Sequence, residues 1–375
     1  MKSAVINPFI CQGYESPKYF CDRVEETEKL KSALYNGRNI TLVSPRRMGK
    51  TGLIWHLFHQ ISAENKDALC IYIDIFPSKN QNDFVQMFGE AVMNAAISKG
   101  KQIGRKIMEL FASMRPTIGL DPLTGMPNVT LNIDTSLTET TIKNIFGYLK
   151  KIPREIFIAI DEFQQVTNYP EQGTEALLRS QIQFTRNVHF IFSGSRQHLM
   201  SEMFLSPQRP FFQSTDMMNL EPLDIAVYYS FASNFFNIRR WSLDKDIFRK
   251  LYSTFDGHTW YIQSILNRLY EVGGNIKSDS QVNEAIYKVS ESNRTQYETI
   301  ILFLTDNQTS VIKAIAKEEK VAEPLSKDFL KKYRLPSASS VKASLDVLTK
   351  RELIYHASDG YIIYDRFFNQ WLKRI

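Results

Sequence analysis

Residues 40–56 read Ile40-Thr-Leu-Val-Ser-Pro-Arg-Arg-Met-Gly-Lys-Thr-Gly-Leu-Ile-Trp-His56. The apolar start predicts a β-strand, and the apolar spacing after the Gly-Lys-Thr segment predicts a helix. A strand that turns directly into a helix points backbone N–H groups and the positive end of the helix dipole at one place, which suits a phosphate group. Lys50 adds a cation for the β- and γ-phosphates, and Thr51 adds a hydroxyl for Mg²⁺. The segment therefore predicts a phosphate-binding loop.

This loop departs from the full pattern at one position, because Ser44 stands where the pattern has glycine. Pro45 favours extended backbone at the residue before it, so the chain can leave the strand without a positive φ at Ser44. We expect the whole loop to contact nucleotide. Its residues are Ser44, Pro45, Arg46, Arg47, Met48, Gly49, Lys50, Thr51 and Gly52.

A second signal lies about a hundred residues further on, where residues 155–166 read Glu155-Ile-Phe-Ile-Ala-Ile-Asp-Glu-Phe-Gln-Gln-Val166. A continuous apolar run is typical of a strand buried on both faces of a parallel sheet. At the end of this strand, we expect Asp161 to organise Mg²⁺ and Glu162 to orient or deprotonate the attacking water. An acidic strand end or a helix cap is the alternative for this segment alone. Its combination with the upstream Gly-Lys-Thr favours a nucleotide site.

A third apolar run, residues 188–195, reads Val188-His-Phe-Ile-Phe-Ser-Gly-Ser195. Ser193 or Ser195 at its end is a candidate to reach the γ-phosphate or its water. Small polar residues are also ordinary turn formers, and the pattern alone leaves both interpretations open.

Two arginines follow this run, and each is a candidate for stabilising transition-state charge. Arg209 stands where the chain is expected to return past the nucleotide, so we predict it as the catalytic arginine. Arg196, directly after the third run, is the rival. A structural or solvated arginine is the alternative for either one.

Together with Tyr19-Phe20-Cys21-Asp22-Arg23 and the helix-like stretch after it, these segments resemble the archaeal-type ATPase family, which lies on the STAND and AAA+ side of the P-loop NTPases. The resemblance covers nearly the whole chain. Asp256-Gly-His-Thr-Trp-Tyr-Ile-Gln263 is similar to the lid motif of the family, although the family usually has Gly-Gly-x-Pro at its start. The resemblance implies that Arg23 faces the adenine-ribose edge and that the chain ends in a winged helix.

The predicted fold class is α/β, with a parallel-sheet P-loop core at residues 1–220 and an insertion at about 78–150. A helical lid at 221–305 and a winged-helix domain at 306–375 follow it. A helix is expected to begin at Asp22 with that residue as its cap. A β-hairpin is expected around Asp-Pro-Leu-Thr-Gly at 121–125, where it either contacts a partner or covers the sheet.

Composition agrees with this division, since 375 residues with 43% hydrophobic content can form two or three domains. The three cysteines have no metal-binding spacing, so reduced thiols in a cytoplasmic protein are expected. No apolar run reaches the length of a membrane span, and we expect no membrane partner.

The carboxyl-terminal part carries much of the formal charge of +6, with 13 Lys and Arg residues against 9 Asp and Glu residues over 301–375. Six of these cations are candidates to line a surface that faces phosphates: Lys331, Lys332, Arg334, Lys342, Lys350 and Arg351. Acidic residues interrupt the expected recognition helix, which also lacks a base-reading Asn or Gln. We therefore predict weak DNA binding at most, and a protein-docking module is the other interpretation.

The sequence thus predicts an ATPase that binds ATP and ADP with Mg²⁺, turns over slowly and acts on an unidentified protein partner. The alternative is a nucleotide-gated regulator or DNA-binding protein with little turnover.

Overall fold

A computed structural model describes residues 6–98, 117–120, 127–357 and 359–375. Contacts divide the chain into two compact units, one at Gln12–Leu223 and one that joins the amino-terminal residues up to Cys11 with Asp224–Ile375. The first boundary lies close to the predicted end of the core at residue 220. The predicted lid and winged helix both lie in the second unit, and their exact limits stay predictions. Within the described residues, no helix is both long enough and apolar enough to cross a lipid bilayer.

The strands of the first unit combine a parallel sheet with a separate hairpin. They are β1 (Ile40–Val43), β2 (Leu69–Asp74), β3 (Thr117–Leu120), β4 (Pro127–Thr130), β5 (Ile156–Asp161), β6 (Val188–Gly194) and β7 (Asp216–Asn219). Five of them form the sheet in the order β2-β5-β6-β1-β7, with every neighbouring pair parallel. The carboxyl ends of β1, β6 and β5 are therefore adjacent, which is where an open parallel sheet binds ligands.

Helices cover both faces of this sheet. They are α1 (Val24–Tyr35), α2 (Lys50–Glu64), α3 (Gln81–Ser98), α4 (Thr138–Leu149), α5 (Thr174–Ile182) and α6 (Gln197–Leu205). Alternate residues of β5 enter different hydrophobic clusters: Ile158 packs with residues of α3 and α4, whereas Phe157 packs with residues of α1 and α2. Burial on both faces explains the continuous apolar runs and confirms the predicted α/β class.

The start of α1 differs from the expectation. The predicted cap at Asp22 is wrong, because Arg23 occupies the cap position and no side chain there bonds to the helix N–H groups. Asp22 and Arg23 have φ values of 54° and 65°. This left-handed backbone turns the chain immediately before Val24, which moves the cap position one residue beyond the aspartate.

The insertion contains the long helix α3 and the predicted hairpin. Strands β3 and β4 pair antiparallel from Thr117 opposite Thr130 to Leu120 opposite Pro127, which confirms the hairpin. Residues 99–116 lie outside the described residues, as does the turn at 121–126. The backbone N–H of Val129 donates to Asn94 on α3 at 2.9 Å, so the hairpin packs against this helix.

The second unit is helical and ends in a winged helix. Its first elements are α7 (Ile225–Ile238), α8 (Lys245–Thr254), α9 (Thr259–Val272), α10 (Asp279–Ser292) and α11 (Arg294–Leu302). The winged helix consists of α12 (Asp306–Glu318), α13 (Lys327–Lys332), α14 (Ala338–Lys350), β8 (Ile354–Ala357), β9 (Gly360–Ile363) and α15 (Arg366–Leu372). Strands β8 and β9 pair antiparallel, from Ile354 opposite Ile363 to Ala357 opposite Gly360.

A half-buried ion pair joins α15 to the segment between α8 and α9. Arg366, whose side chain is 7% exposed, donates to the Asp256 carboxylate at 2.6 Å. The rings of Tyr261 and Phe367 pack beside this pair with centroids 5.0 Å apart. Asp256 is the residue at which the sequence departs from the glycine of the family lid motif, and the structure gives that aspartate a partner 110 positions away.

Candidate nucleotide-binding site

The phosphate-binding loop leaves β1 at a buried residue, Ser44, whose N–H donates to the Gly194 carbonyl at 3.4 Å. Positive φ values occur at Arg47 (69°) and Gly49 (98°), and Ser44 is not among the described residues with positive φ. Helix α2 then begins at Lys50, with Gly49 as its cap residue. The turn is made later in the loop, which explains why serine is tolerated at its first position.

The Lys50 ammonium lies inside this loop. Its Nζ donates to the Ser44 carbonyl at 2.8 Å and to the Pro45 carbonyl at 3.2 Å. Only 6% of the residue is exposed. Burial lowers the pKa of Lys50 to about 8, while the charges of Asp161 and Glu162 act in the opposite direction. The loop therefore holds a preformed cation at its centre, where phosphate oxygens can replace the carbonyl acceptors.

Thr51, Asp161 and Tyr72 share one oxygen atom. Asp161 Oδ2 accepts hydrogen bonds from Thr51 Oγ1 at 2.8 Å and from the Tyr72 hydroxyl at 2.7 Å. The structure thus brings the two predicted metal ligands, Thr51 and Asp161, into direct contact. Sequence reasoning missed Tyr72, because no local pattern shows that β2 pairs with β5. Burial raises the pKa of Tyr72 well above its ordinary value.

Glu162 follows with a left-handed backbone, φ 55°. Its Oε2 accepts from Ser195 Oγ at 2.8 Å and from the Gln164 side-chain amide. Of the two candidate serines, Ser195 therefore contacts the predicted base. Ser193 Oγ is buried and has no hydrogen-bond partner among the described residues. One donor of Glu162 directly follows β6 and the other lies in the 3-10 turn after β5, so two separate segments hold the carboxylate.

Other loop residues make ordinary packing contacts. Met48 is 3% exposed, and the Arg46 guanidinium lies over the Phe76 ring at 5.4 Å from its centroid. An added Cβ at Gly52 would lie 3.3 Å from the Phe20 ring, so glycine lets this ring pack on the first turn of α2. Contacts of Arg46, Arg47 and Gly52 with nucleotide stay predictions.

Arg23 is nearly buried, at 4% exposed, and pairs with Glu26 of its own helix at 2.6 Å. The structure describes no hydrogen bond between Arg23 and the phosphate loop. Its predicted place at the adenine-ribose edge stays a prediction.

Arg209 pairs with two carboxylates. It donates to Glu175 on α5 at 2.6 Å and lies 3.5 Å from Glu202 on α6. Burial raises the pKa of Glu175, and the Arg209 charge opposes that shift. The rival, Arg196, occupies the cap position of α6 directly after Ser195. The structure does not bring Arg209 into the cluster at Glu162, and its catalytic role stays a prediction.

The donor set fits Mg²⁺. The hydroxyl of Thr51 and the carboxylate of Asp161 are oxygen donors, which Mg²⁺ prefers. Among the described residues, no group of three or more His, Cys, Asp or Glu side chains is placed to hold a metal ion by itself. Magnesium sites in nucleotide enzymes commonly use one or two side chains and complete their shell with phosphates and water. The residues present therefore suit a magnesium-nucleotide complex.

The sheet order, the loop before α2 and the acidic end of β5 are those of a P-loop ATPase. Residues 20–265 match the family model described as an ATPase domain predominantly from Archaea, and residues 295–374 match a probable winged helix domain. The chain belongs to this archaeal-type ATPase family, as its motifs predict. No match was found among the curated proteins.

Solved structures agree on the fold. The Walker-type ATPase paby2304 of Pyrococcus abyssi is 16% identical with a TM-score of 0.64, over 98% of this chain and 100% of that chain. The Orc1 protein of Aeropyrum pernix, solved in complex with DNA, is 12% identical with a TM-score of 0.55, over 98% and 96%. The Orc2 protein of Aeropyrum pernix, solved as ADPNP-ADP complexes, is 15% identical with a TM-score of 0.56, over 98% and 95%. At these identities, the likeness shows the fold alone.

Proposed function

We propose that this protein binds ATP with Mg²⁺ and hydrolyses it slowly. The observation that carries the proposal is the convergence of Lys50, Thr51, Asp161 and Glu162 at the carboxyl ends of β1 and β5, which lie on either side of β6. ADP would occupy the same loop after hydrolysis.

Each residue has a separate task in this proposal. Lys50 and the N–H groups at the start of α2 bind the phosphates. Thr51 and Asp161 hold Mg²⁺, which when bound neutralises charge on the phosphate oxygens. Glu162 orients a water molecule toward the γ-phosphate and accepts its proton on the carboxylate.

Ser195 and Gln164 would orient Glu162 for this step. Both donate to the same oxygen, Oε2, which leaves Oε1 available to water. A base must be held in a narrow range of positions for efficient proton transfer, and two donors from separate elements restrict the rotation of the carboxylate.

We also propose that the winged helix moves with α7–α10 when the nucleotide changes. The Asp256–Arg366 pair and the packing of Tyr261 on Phe367 support this, because they join the lid motif to the last helix of the winged helix. Packed interfaces of this kind move as a body and do not deform continuously.

A second candidate function is weak, sequence-independent DNA binding by the winged helix. The observation that favours it is the exposure of Lys331, Arg334, Lys342 and Lys350. Lys332 instead pairs with Glu318, and Arg351 donates to the Phe303 carbonyl. The alternative to DNA binding is that the winged helix docks to a protein partner. In that case the protein would be a nucleotide-gated regulator with little ATP turnover.

The main proposal is tested with Glu162→Gln. The amide keeps the shape of the side chain but cannot accept a proton, so the variant should bind ATP with wild-type affinity and lose about 10²–10⁴ of the turnover rate. Glu139→Gln, a change at an exposed carboxylate on α4, is the matched control. Phosphate release and isothermal titration with ATP and Mg²⁺ give the two readings. Wild-type turnover in Glu162→Gln would remove Glu162 from the mechanism.

A further inference from the structure

The Tyr72 hydroxyl occupies a place beside the predicted magnesium ligands. It donates to Asp161 Oδ2 at 2.7 Å, and Thr51 Oγ1 donates to the same atom at 2.8 Å. The three side chains come from β2, the end of β5 and the first turn of α2. Tyr72 is the one partner of this oxygen that is not itself a predicted ligand.

The position of this hydroxyl is set by rigid elements. Strands β2 and β5 are parallel, and Tyr72 lies opposite Ala159 in their register. Two residues further along both strands, Asp74 lies opposite Asp161. On the helix side, its ring packs against Trp55 of α2 with centroids 5.2 Å apart. A sheet pairing and a helix contact therefore fix the phenol, and Asp161 receives a donor from β2 in addition to the one from Thr51.

A ligand carboxylate that lacks such a donor is free to rotate. Hydrogen bonds to metal-binding side chains orient them, and their loss typically costs about 10–100-fold in metal affinity. If Thr51 turned its oxygen toward a metal, Asp161 would keep two donors: the backbone N–H of Glu162, which holds Oδ1 at 3.0 Å, and the Tyr72 hydroxyl, which alone would hold Oδ2.

We propose that Tyr72 is a positioning residue for the magnesium site, acting through the carboxylate of Asp161. The inference rests on the proposed binding of a magnesium-nucleotide complex and adds to it a residue on β2. Tyr72 touches neither phosphate nor metal in this role. It keeps the Asp161 carboxylate turned toward the place where Mg²⁺ and the phosphates meet.

The test is Tyr72→Phe, which removes the hydroxyl and keeps the ring that packs on Trp55. ADP binding is measured by isothermal titration over a range of Mg²⁺ concentrations and again in EDTA. We expect the Mg²⁺ concentration for half-maximal enhancement of ADP binding to rise about tenfold or more. ADP affinity in EDTA should stay within twofold of wild type. Tyr35→Phe, at a tyrosine on α1 that is 43% exposed, is the control.

A double-mutant cycle separates positioning from general structural support. In an Asp161→Asn background, Tyr72→Phe should cause no further loss of Mg²⁺ dependence, because its effect passes through the carboxylate. Equal losses in both backgrounds would overturn the inference. So would an unchanged Mg²⁺ dependence in Tyr72→Phe, or a variant that no longer folds, since the hydroxyl would then serve stability.

These outcomes differ from a failure of the proposed function. If wild-type protein binds ADP with a clear Mg²⁺ dependence and Tyr72→Phe matches it, only the role of Tyr72 is wrong. If wild-type protein binds ADP neither with Mg²⁺ nor in EDTA, the nucleotide site itself is wrong, and the role of Tyr72 fails with it.

Discussion

Gly194 lies so close to Gln164 that a methyl group on the glycine would be 2.5 Å from the amide oxygen of the glutamine. The same methyl group would be 2.5 Å from the Met200 side chain. Gln164 is the residue whose amide donates to Glu162. The absence of a side chain at the end of β6 therefore makes room for a contact that orients the predicted base.

Gly194→Ala should consequently displace Gln164 and lower both stability and turnover. Overpacking at a buried site typically costs about 1–3 kcal/mol, and we expect a loss in that range. Denaturant unfolding and phosphate release measure the two effects. Gly147→Ala is the control, because a Cβ there meets no atom within 4 Å and alanine favours the helix α4. Equal stability of both variants would contradict the described packing.

Ser195→Ala should reduce turnover about tenfold while ATP binding stays unchanged, because it removes one of two donors to Glu162. Ser193→Ala provides a matched control two residues away, since its buried hydroxyl has no hydrogen-bond partner among the described residues. Steady-state kinetics should show the loss in kcat and not in KM. A larger effect from Ser193→Ala would mean that Ser193 and not Ser195 is the functional serine.

Lys50→Ala should weaken ATP binding by at least about tenfold to a hundredfold, the usual range for losing a hydrogen bond from a charged group. The chain should stay folded, because the loop also rests on β1 and on the buried Met48. Isothermal titration with ATP and Mg²⁺ measures the affinity, and circular dichroism checks that the variant is folded. Lys29→Ala, at an exposed residue of α1, is the control. Unchanged affinity in folded Lys50→Ala would disprove the phosphate-loop assignment.

Asp256→Ala should destabilise the second unit by about 1–3 kcal/mol, since it leaves the buried Arg366 guanidinium without this carboxylate. High salt should weaken the effect only in part, because the Arg366 side chain is 7% exposed whereas that of Asp256 is 60% exposed. Asp359→Ala breaks the exposed pair with Lys320 and should cause no measurable change. Denaturant-induced unfolding at low and high salt measures the stability of both variants. Similar behaviour of the two variants would argue against a structural link between the lid motif and the winged helix.

DNA binding by the full chain should be weak, with a dissociation constant of about 10⁻⁴–10⁻⁶ M at physiological salt, and should fall steeply as salt rises. Lys342→Glu with Lys350→Glu should reduce both the affinity and the salt slope. Lys288→Glu, on α10 outside the winged helix, is the control. Fluorescence anisotropy with random and selected duplexes measures the effect. Tight, sequence-selective binding would instead identify the protein as directed to DNA.

Local patterns were sufficient to predict several features of this protein. Lys50 and Thr51 belong to a contiguous strand-loop-helix segment, and Asp161 and Glu162 end a contiguous apolar run. The phosphate loop and the acidic strand end are each formed by residues close together in the chain. Their backbone geometry and burial can therefore be predicted from the local sequence. The family, the α/β class and the winged helix were predicted on the same basis and are confirmed.

The cap of α1 shows where local reasoning failed. Aspartate is a frequent helix cap, which favoured Asp22, but left-handed backbone at Asp22 and Arg23 moved the start to Val24. The buried pairing of Arg23 with Glu26 accompanies that turn. Tertiary burial overrode the local preference here.

The sequence by itself determined which segments carry phosphate-binding and acidic groups, because those groups follow strands whose apolar pattern is local. Only the tertiary structure decided which side chains support them. Tyr72 reaches Asp161 because β2 pairs with β5, and Ser195 reaches Glu162 because β6 lies on the other side of β5. Strand order results from packing among elements far apart in the chain, and no local pattern encodes that order.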